Sequence, residues 1–230
     1  MPSAYQAVLC HTTSVRLLFL LAVICPLLPG QVIPAIEDTP GLPRVLLIGD
    51  SISIGYTVPV RKLLGGKANV HRIAGNVGPS SNGVFLIEAW LAEKPGEKKW
   101  DFIHFNFGLH DLKQLEDGKP QVPPDAYERY LRLIVQCLKR TGARLIWAST
   151  TPVPEGKVNP PRVPADVTAY NAIASRIMKE NDIAIDDLYA LALPRLSKIQ
   201  QPVNVHFTPA GSEILARQVA AAIEQALANK

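Results

Sequence analysis

Arg44-Val45-Leu46-Leu47-Ile48-Gly49-Asp50-Ser51-Ile52-Ser53 is the stretch on which the fold turns. Arg44–Ile48 is a short apolar run with the character of a buried strand. It stops abruptly at Gly49-Asp50-Ser51, residues that favour turns and caps. Val58–Leu64 then reads as a short helix closed by Gly65 and Gly66. Ala68–Ile73 reads as a second strand, and Gly83–Glu93 carries Val84, Ile87 and Leu91 at helical spacing. Asp101–Phe107 is a third strand, with Ile103, Phe105 and Phe107 on one side and His104 and Asn106 on the other.

The same alternation continues to the C-terminus. Asp125–Arg140 has the clearest helical stripe, Tyr127, Leu131, Ile134 and Leu138. Arg144–Ser149 is a fourth strand, Asp166–Lys179 a helix and Ile183–Asp186 a fifth strand. The last helix opens with Thr208 as N-cap and Pro209 at N1. Strands and helices alternating in this way predict an α/β protein, a parallel sheet of about five strands covered on both faces. With 230 residues, no internal repeat and no Gly/Ser linker, a single domain is expected.

Composition narrows the function classes. Hydrophobic residues make up 47% and charged residues 19%, which excludes a largely disordered chain. The net charge of +4 is spread along the sequence without a basic run, so no nucleic-acid partner is expected. Cys10, Cys25 and Cys137 match neither a disulfide framework nor a zinc pattern, and the five histidines lack metal-ligand spacing. No metal or cofactor is implied. Cys137 falls on the inner face of its helix and reads as core.

Residues 1–30 stand apart. Leu17–Leu28 is an apolar stretch of twelve residues behind the lone base Arg16. A spanning helix needs roughly 20 apolar residues, so residues 1–30 read as a secretory signal, cleaved after Gly30 or Ala35. An uncleaved anchor or a buried strand is the alternative. Ala22-Val23-Ile24 is a poor lipobox, which argues against a lipid anchor at Cys25. An exported protein follows, periplasmic or secreted, without a membrane span in its mature chain. Residues 31–43 are a Pro-rich leader and residues 44–230 the domain.

In a parallel sheet, ligands bind where strands end and the chain turns into a helix. Ser51 stands at such a point, where backbone N–H groups can stabilise a developing oxyanion. His206, in Val205-His206-Phe207-Thr208-Pro209, lies at the lip of the sheet and could act as its base. Taken alone, Asp50-Ser51 could be only a turn and cap, and His206 only a surface residue.

These residues resemble the SGNH (GDSL-type) hydrolase family, esterases and acyl hydrolases on a flavodoxin-like α/β/α sandwich. Gly49-Asp50-Ser51-Ile52-Ser53 is similar to its first block, and Asn76-Val77-Gly78 to its second. Gly108-Leu109-His110-Asp111 falls where the third block stands, and Val205–Gly211 is similar to the fifth. The resemblance implies Ser51 as nucleophile and His206 as base, with Ser51 N–H, Gly78 N–H and His110 in the oxyanion hole. His110 replaces an asparagine of the family, although an imidazole N–H can also donate. A pair with Asp111 is its structural alternative, and Asn106 is a second candidate donor.

The triad acid is the other departure, because its position is Val203. Asn204, a backbone carbonyl, Asp186 or Asp187 could orient His206 instead. The resemblance and the signal together imply a serine esterase acting on small-molecule or carbohydrate esters with short acyl groups, acetyl foremost. A non-catalytic glycan- or protein-binding module, or a lipid or thioester hydrolase, stays open as an alternative.

Overall fold

In a computed structural model of the chain, residues 33–92 and 99–229 are described. The signal segment read at residues 1–30 lies outside them. Residues 31–230 cluster as one compact unit.

The sheet has five parallel strands: β1 (Arg44–Ile48), β2 (Asn69–Arg72), β3 (Phe102–Phe105), β4 (Arg144–Ala148) and β5 (Ala184–Asp186), in the order β2-β1-β3-β4-β5. Val45 to Ile48 pair with β3 from Phe102 to Phe105, while Arg44 to Leu47 pair with β2. Val45, Leu46, Leu47 and Ile48 are all buried, so both faces of β1 are covered. That is why the strand is a continuous apolar run rather than an alternating one.

The helices are α1 (Ser51–Leu63), α2 (Ser80–Ala92), α3 (Pro124–Lys139), α4 (Pro164–Glu180), α5 (Leu188–Ala192), α6 (Leu196–Ile199) and α7 (Pro209–Ala228). The chain leaves β1 for one edge, β2, then returns across it to β3 and the other edge. Right-handed crossovers then place α1 on one face and α2, α3 and α4 on the other. Contacts follow this division: α1 packs on α7, α2 on α3, and α3 on α4. The strand order reverses between β1 and β3, where open α/β sheets hold their ligands.

Several boundaries differ from the sequence reading. α1 is not a short helix over Val58–Leu64; it starts at Ser51, with Asp50 as its N-cap. Ile52, Tyr56 and Val60 recur at intervals of four and bury one stripe, which sustains the helix through Pro59. α2 starts at Ser80, three residues earlier than its apolar spacing suggests. β3 ends at Phe105, so Asn106 and Phe107 lie just beyond the ladder. The short helices α5 and α6 have no counterpart in the sequence reading, because four or five residues are too few for a periodic stripe. Cys137 is buried, as are Trp90, Trp100 and Trp147.

Candidate active site

Ser51 is the first residue of α1, directly beyond β1. The buried Asp50 side chain accepts the Ile52 N–H at 2.9 Å and so fixes the start of the helix. Among the described residues the Ser51 N–H has no acceptor, as expected of a first-turn amide. Arg72, at the end of β2, ties this turn to its neighbour. Its Nη2 donates to Gly49 O (2.9 Å), Asp50 O (3.2 Å) and Ser53 Oγ (3.0 Å), and its Nη1 to Ile73 O (2.7 Å) and Gly75 O (2.5 Å). One guanidinium thus holds the serine turn and the loop after β2 in a fixed relation. Sequence reasoning missed Arg72, since an arginine ending a short strand carries no motif.

His206 comes from the loop between α6 and α7. The loop is pinned at its base by Gln201 N–H to His206 O (2.9 Å) and by Gln200 Nε2, which donates to Pro152 O and Val205 O. Thr208 caps α7 through the Gly211 N–H. These bonds carry His206 to the serine: Nε2 lies 2.9 Å from Ser51 Oγ.

The other ring nitrogen decides the tautomer. Asn204 Oδ1 accepts the His206 backbone N–H at 3.0 Å and lies 2.8 Å from His206 Nδ1. A backbone N–H can only donate, so the Asn204 atom facing it is the oxygen. That oxygen can only accept, so Nδ1 carries the proton and Nε2 presents its lone pair to Ser51. The hydrogen bonding therefore sets up the tautomer a general base needs.

Val203 stands apart from this arrangement. Its backbone is left-handed (φ +50°), which is rare for a β-branched residue, and its exposed side chain lies against Gly156. Asp186 and Asp187 are committed elsewhere. Asp186 Oδ2 is 2.9 Å from His104 Nε2, both buried, and Asp187 Oδ1 accepts from Ser149 Oγ and Ala190 N.

The oxyanion candidates are less uniform. Gly78 has φ +66°, and a Cβ there would come within 2.6 Å of Asn82 Nδ2, so the position favours glycine. Its N–H is engaged by Asn76 Oδ1 at 2.9 Å. It can reach an oxyanion only by leaving or sharing that acceptor. Gly108 allows the chain to pass close to the loop after β4, since a Cβ would meet Thr150 Oγ1 at 2.2 Å. His110 follows two residues later, half-buried. Burial, with Lys113, Arg162 and His206 nearby, pushes its pKa down to about 4. Near neutral pH it is an uncharged imidazole with one N–H to donate. Asn106 is spent internally: its Nδ2 donates to Ala148 O (2.7 Å) and Thr150 Oγ1 (3.3 Å).

Asp111 does not pair with His110. Its Oδ1 accepts both the backbone N–H and the hydroxyl of Ser80, at the start of α2, while Oδ2 has no partner among the described residues. Burial raises its pKa to about 7, against the lowering effect of the Ser80 bonds. Between about pH 4 and 7 the folded protein therefore holds a proton that the unfolded chain has lost, and stability falls as pH rises through that window. His110 acts in the opposite sense from about 4 to 6.5, so the informative quantity is a difference between proteins. Asp111→Asn keeps the acceptor for Ser80 but cannot ionise. Its stability relative to wild type should rise by up to a few kcal/mol between pH 5 and pH 8, read by urea unfolding at both values. A difference that stays constant with pH would mean that Asp111 titrates normally.

Among the described residues no group of three or more His, Cys, Asp or Glu side chains is placed to hold a metal ion. No helix among them is long and apolar enough to cross a membrane.

A parallel sheet with a serine and a histidine meeting at its C-terminal edge is the setting of many acyl hydrolases. The family comparison assigns it directly: residues 47–214 match the GDSL-like Lipase/Acylhydrolase family model, and the chain belongs to that family. The fold is shared with solved structures of low sequence identity. A lipase/acylhydrolase from Enterococcus faecalis is 19% identical with a TM-score of 0.66, covering 80% of this chain and 96% of its own. The acetyl xylan esterase AlAXEase is 16% identical with a TM-score of 0.65, covering 78% and 99%. An acetylxylan esterase from Geobacillus stearothermophilus is 19% identical with a TM-score of 0.62, covering 79% and 94%. Comparison with curated proteins gives no match.

Proposed function

We propose that the protein is an exported serine esterase that removes a short acyl group, acetyl foremost, from a carbohydrate or other small alcohol. The observation that carries this reading is the contact of Ser51 Oγ with His206 Nε2 at 2.9 Å, in a tautomer set by Asn204. Ser51 Oγ attacks the ester carbonyl as His206 takes its proton. The imidazolium keeps its Nδ1–H on Asn204 Oδ1, and the oxyanion is held by Ser51 N–H, with Gly78 N–H and His110 completing the hole. Collapse of the tetrahedral intermediate expels the alcohol, protonated by His206. Water, deprotonated by the same nitrogen, then releases the acyl group from Ser51.

The acetyl and carbohydrate parts of this reading are supported by the acetylxylan esterases among the fold neighbours. Export is supported by the apolar stretch Leu17–Leu28. One observation favours a binding module without turnover: the group orienting His206 is a neutral amide, not a carboxylate. A fluorophosphonate probe separates the two readings. Covalent labelling at Ser51 supports an activated serine, and a folded protein that stays unlabelled would overturn the esterase reading.

A further inference from the structure

Two cations beside the site, Arg162 and Lys113, lack the carboxylate partner that several other arginines have among the described residues. Arg129, Arg132, Arg140 and Arg176 each meet a carboxylate within 3.0 Å. Arg162 is only 7% exposed, yet it meets no carboxylate among the described residues. Its Nε donates to Leu109 O at 2.7 Å and its Nη1 to Pro160 O at 3.0 Å, while Nη2 has no acceptor among them. Backbone carbonyls orient a guanidinium but do not neutralise it, and burying an uncompensated charge is costly. Arg162 meets that cost in the wall that carries His110.

That wall is built from two loops. Residues 106–123 follow β3 and residues 149–163 follow β4; Gln114 N–H donates to Pro161 O at 2.9 Å, and Arg162 bonds Leu109 as above. Lys113 lies on the same wall, in the turn closed by its N–H on His110 O (3.2 Å), and its ammonium meets no carboxylate among the described residues. Both charges act on His110 and on Asp50, the residue before the serine. Asp50 is the acid whose charge reaches both, but no nearby acid forms an ion pair with either among the described residues. Asp50 is buried as the cap of α1, and Asp111 turns inward to Ser80. Asp117 pairs with Lys119 at 3.2 Å. Glu116 and Glu155 are exposed on the same loops, without an ion pair to either cation. Of the other basic side chains, the Arg72 Nη groups bond carbonyls and Ser53 Oγ, and the His206 ring meets Ser51 and Asn204.

We infer that Arg162 and Lys113 form a carboxylate subsite beside the scissile ester, and that the preferred substrate is an acylated hydroxy acid or sugar acid. This rests on the esterase reading. Because that reaction removes a small acyl group, the carboxylate belongs to the alcohol part. Arg162 Nη2 and the Lys113 ammonium would each give it a charge-assisted hydrogen bond.

The test compares 3-acetoxybenzoate with its methyl ester, which share the acetyl group and ring and differ in the charge. A ratio of kcat/KM favouring the acid by about 10- to 100-fold, chiefly through KM and shrinking with added salt, is expected. The ratio should fall toward one in Lys113→Gln and in Arg162→Gln. Because a ratio is read, a general loss of activity cancels, and Lys113, whose ammonium has no bonded partner among the described residues, reports even if Arg162→Gln disturbs its loop. Equal turnover of both esters would overturn the subsite while leaving the esterase standing. Should neither ester be turned over, NMR titration of Ser51→Ala protein with 3-acetoxybenzoate still decides. Saturable shifts that weaken in the Lys113→Gln background support the subsite, and no saturation refutes it.

Discussion

Ser51→Ala leaves a folded protein that no longer releases alcohol from a short-chain aryl ester, with kcat lowered by at least about 10³-fold. The expectation follows from position as much as from chemistry. Ser51 is the first residue of α1, and its side chain caps nothing; the cap is Asp50, whose bond to the Ile52 N–H is untouched by the change. Alanine is well tolerated in a first turn, so thermal unfolding should stay within about 2 °C of wild type. Only the hydroxyl that meets His206 Nε2 is removed. Labelling by the fluorophosphonate probe should vanish together with turnover. Near-wild-type turnover in the variant would remove Ser51 from the mechanism altogether, whatever its geometry.

Asn204 carries the second large effect, and it runs in both directions. Asn204→Ala deletes the oxygen that accepts His206 N–H and fixes Nδ1–H. The ring is then free to turn and to place its proton on the wrong nitrogen, and kcat should fall by about 10²- to 10⁴-fold, the range set by loss of the orienting group in a serine triad. Asn204→Asp keeps both acceptor contacts and adds the charge that the present site lacks. The developing imidazolium is then better stabilised, and kcat should rise by a few-fold to about 10³-fold with little change in KM. Steady-state kinetics on one aryl ester reads both variants. An unchanged kcat in Asn204→Ala would show that the hydrogen bond to Nδ1 has no part in turnover. A carboxylate at position 203 should gain less, because the Val203 side chain lies against Gly156.

The choice between positions 203 and 204 also marks the limit of what a sequence can convey. Counting three residues back from His206 leads to Val203, and that count assumes a particular loop conformation. The left-handed backbone at Val203 changes where successive side chains point, and Asn204 becomes the residue whose oxygen serves both the backbone and the ring. Spacing along the chain does not report a φ angle. For the same reason Asp186 and Asp187 could be named as candidate acids but not assigned. Their partners, His104 and Ser149, are 82 and 38 residues away in the chain.

The amino-acid sequence by itself determined the α/β alternation, the buried parallel strands and the placing of Ser51 and His206 at strand and helix ends. These are written in local patterns: continuous apolar runs, stripes at helical spacing, and a Thr-Pro cap, each set by neighbours a few residues apart. Tertiary structure alone decided that Asp111 serves Ser80 rather than His110, that Asn76 occupies the Gly78 N–H, and that Arg72 clamps the serine turn. It alone left Arg162 buried without an ion pair among the described residues. Each of these depends on which hydrogen-bonding groups are left over once the helices and sheet are paired. A buried donor or acceptor must find its partner across the fold, and nothing in its immediate neighbours says which one it will meet.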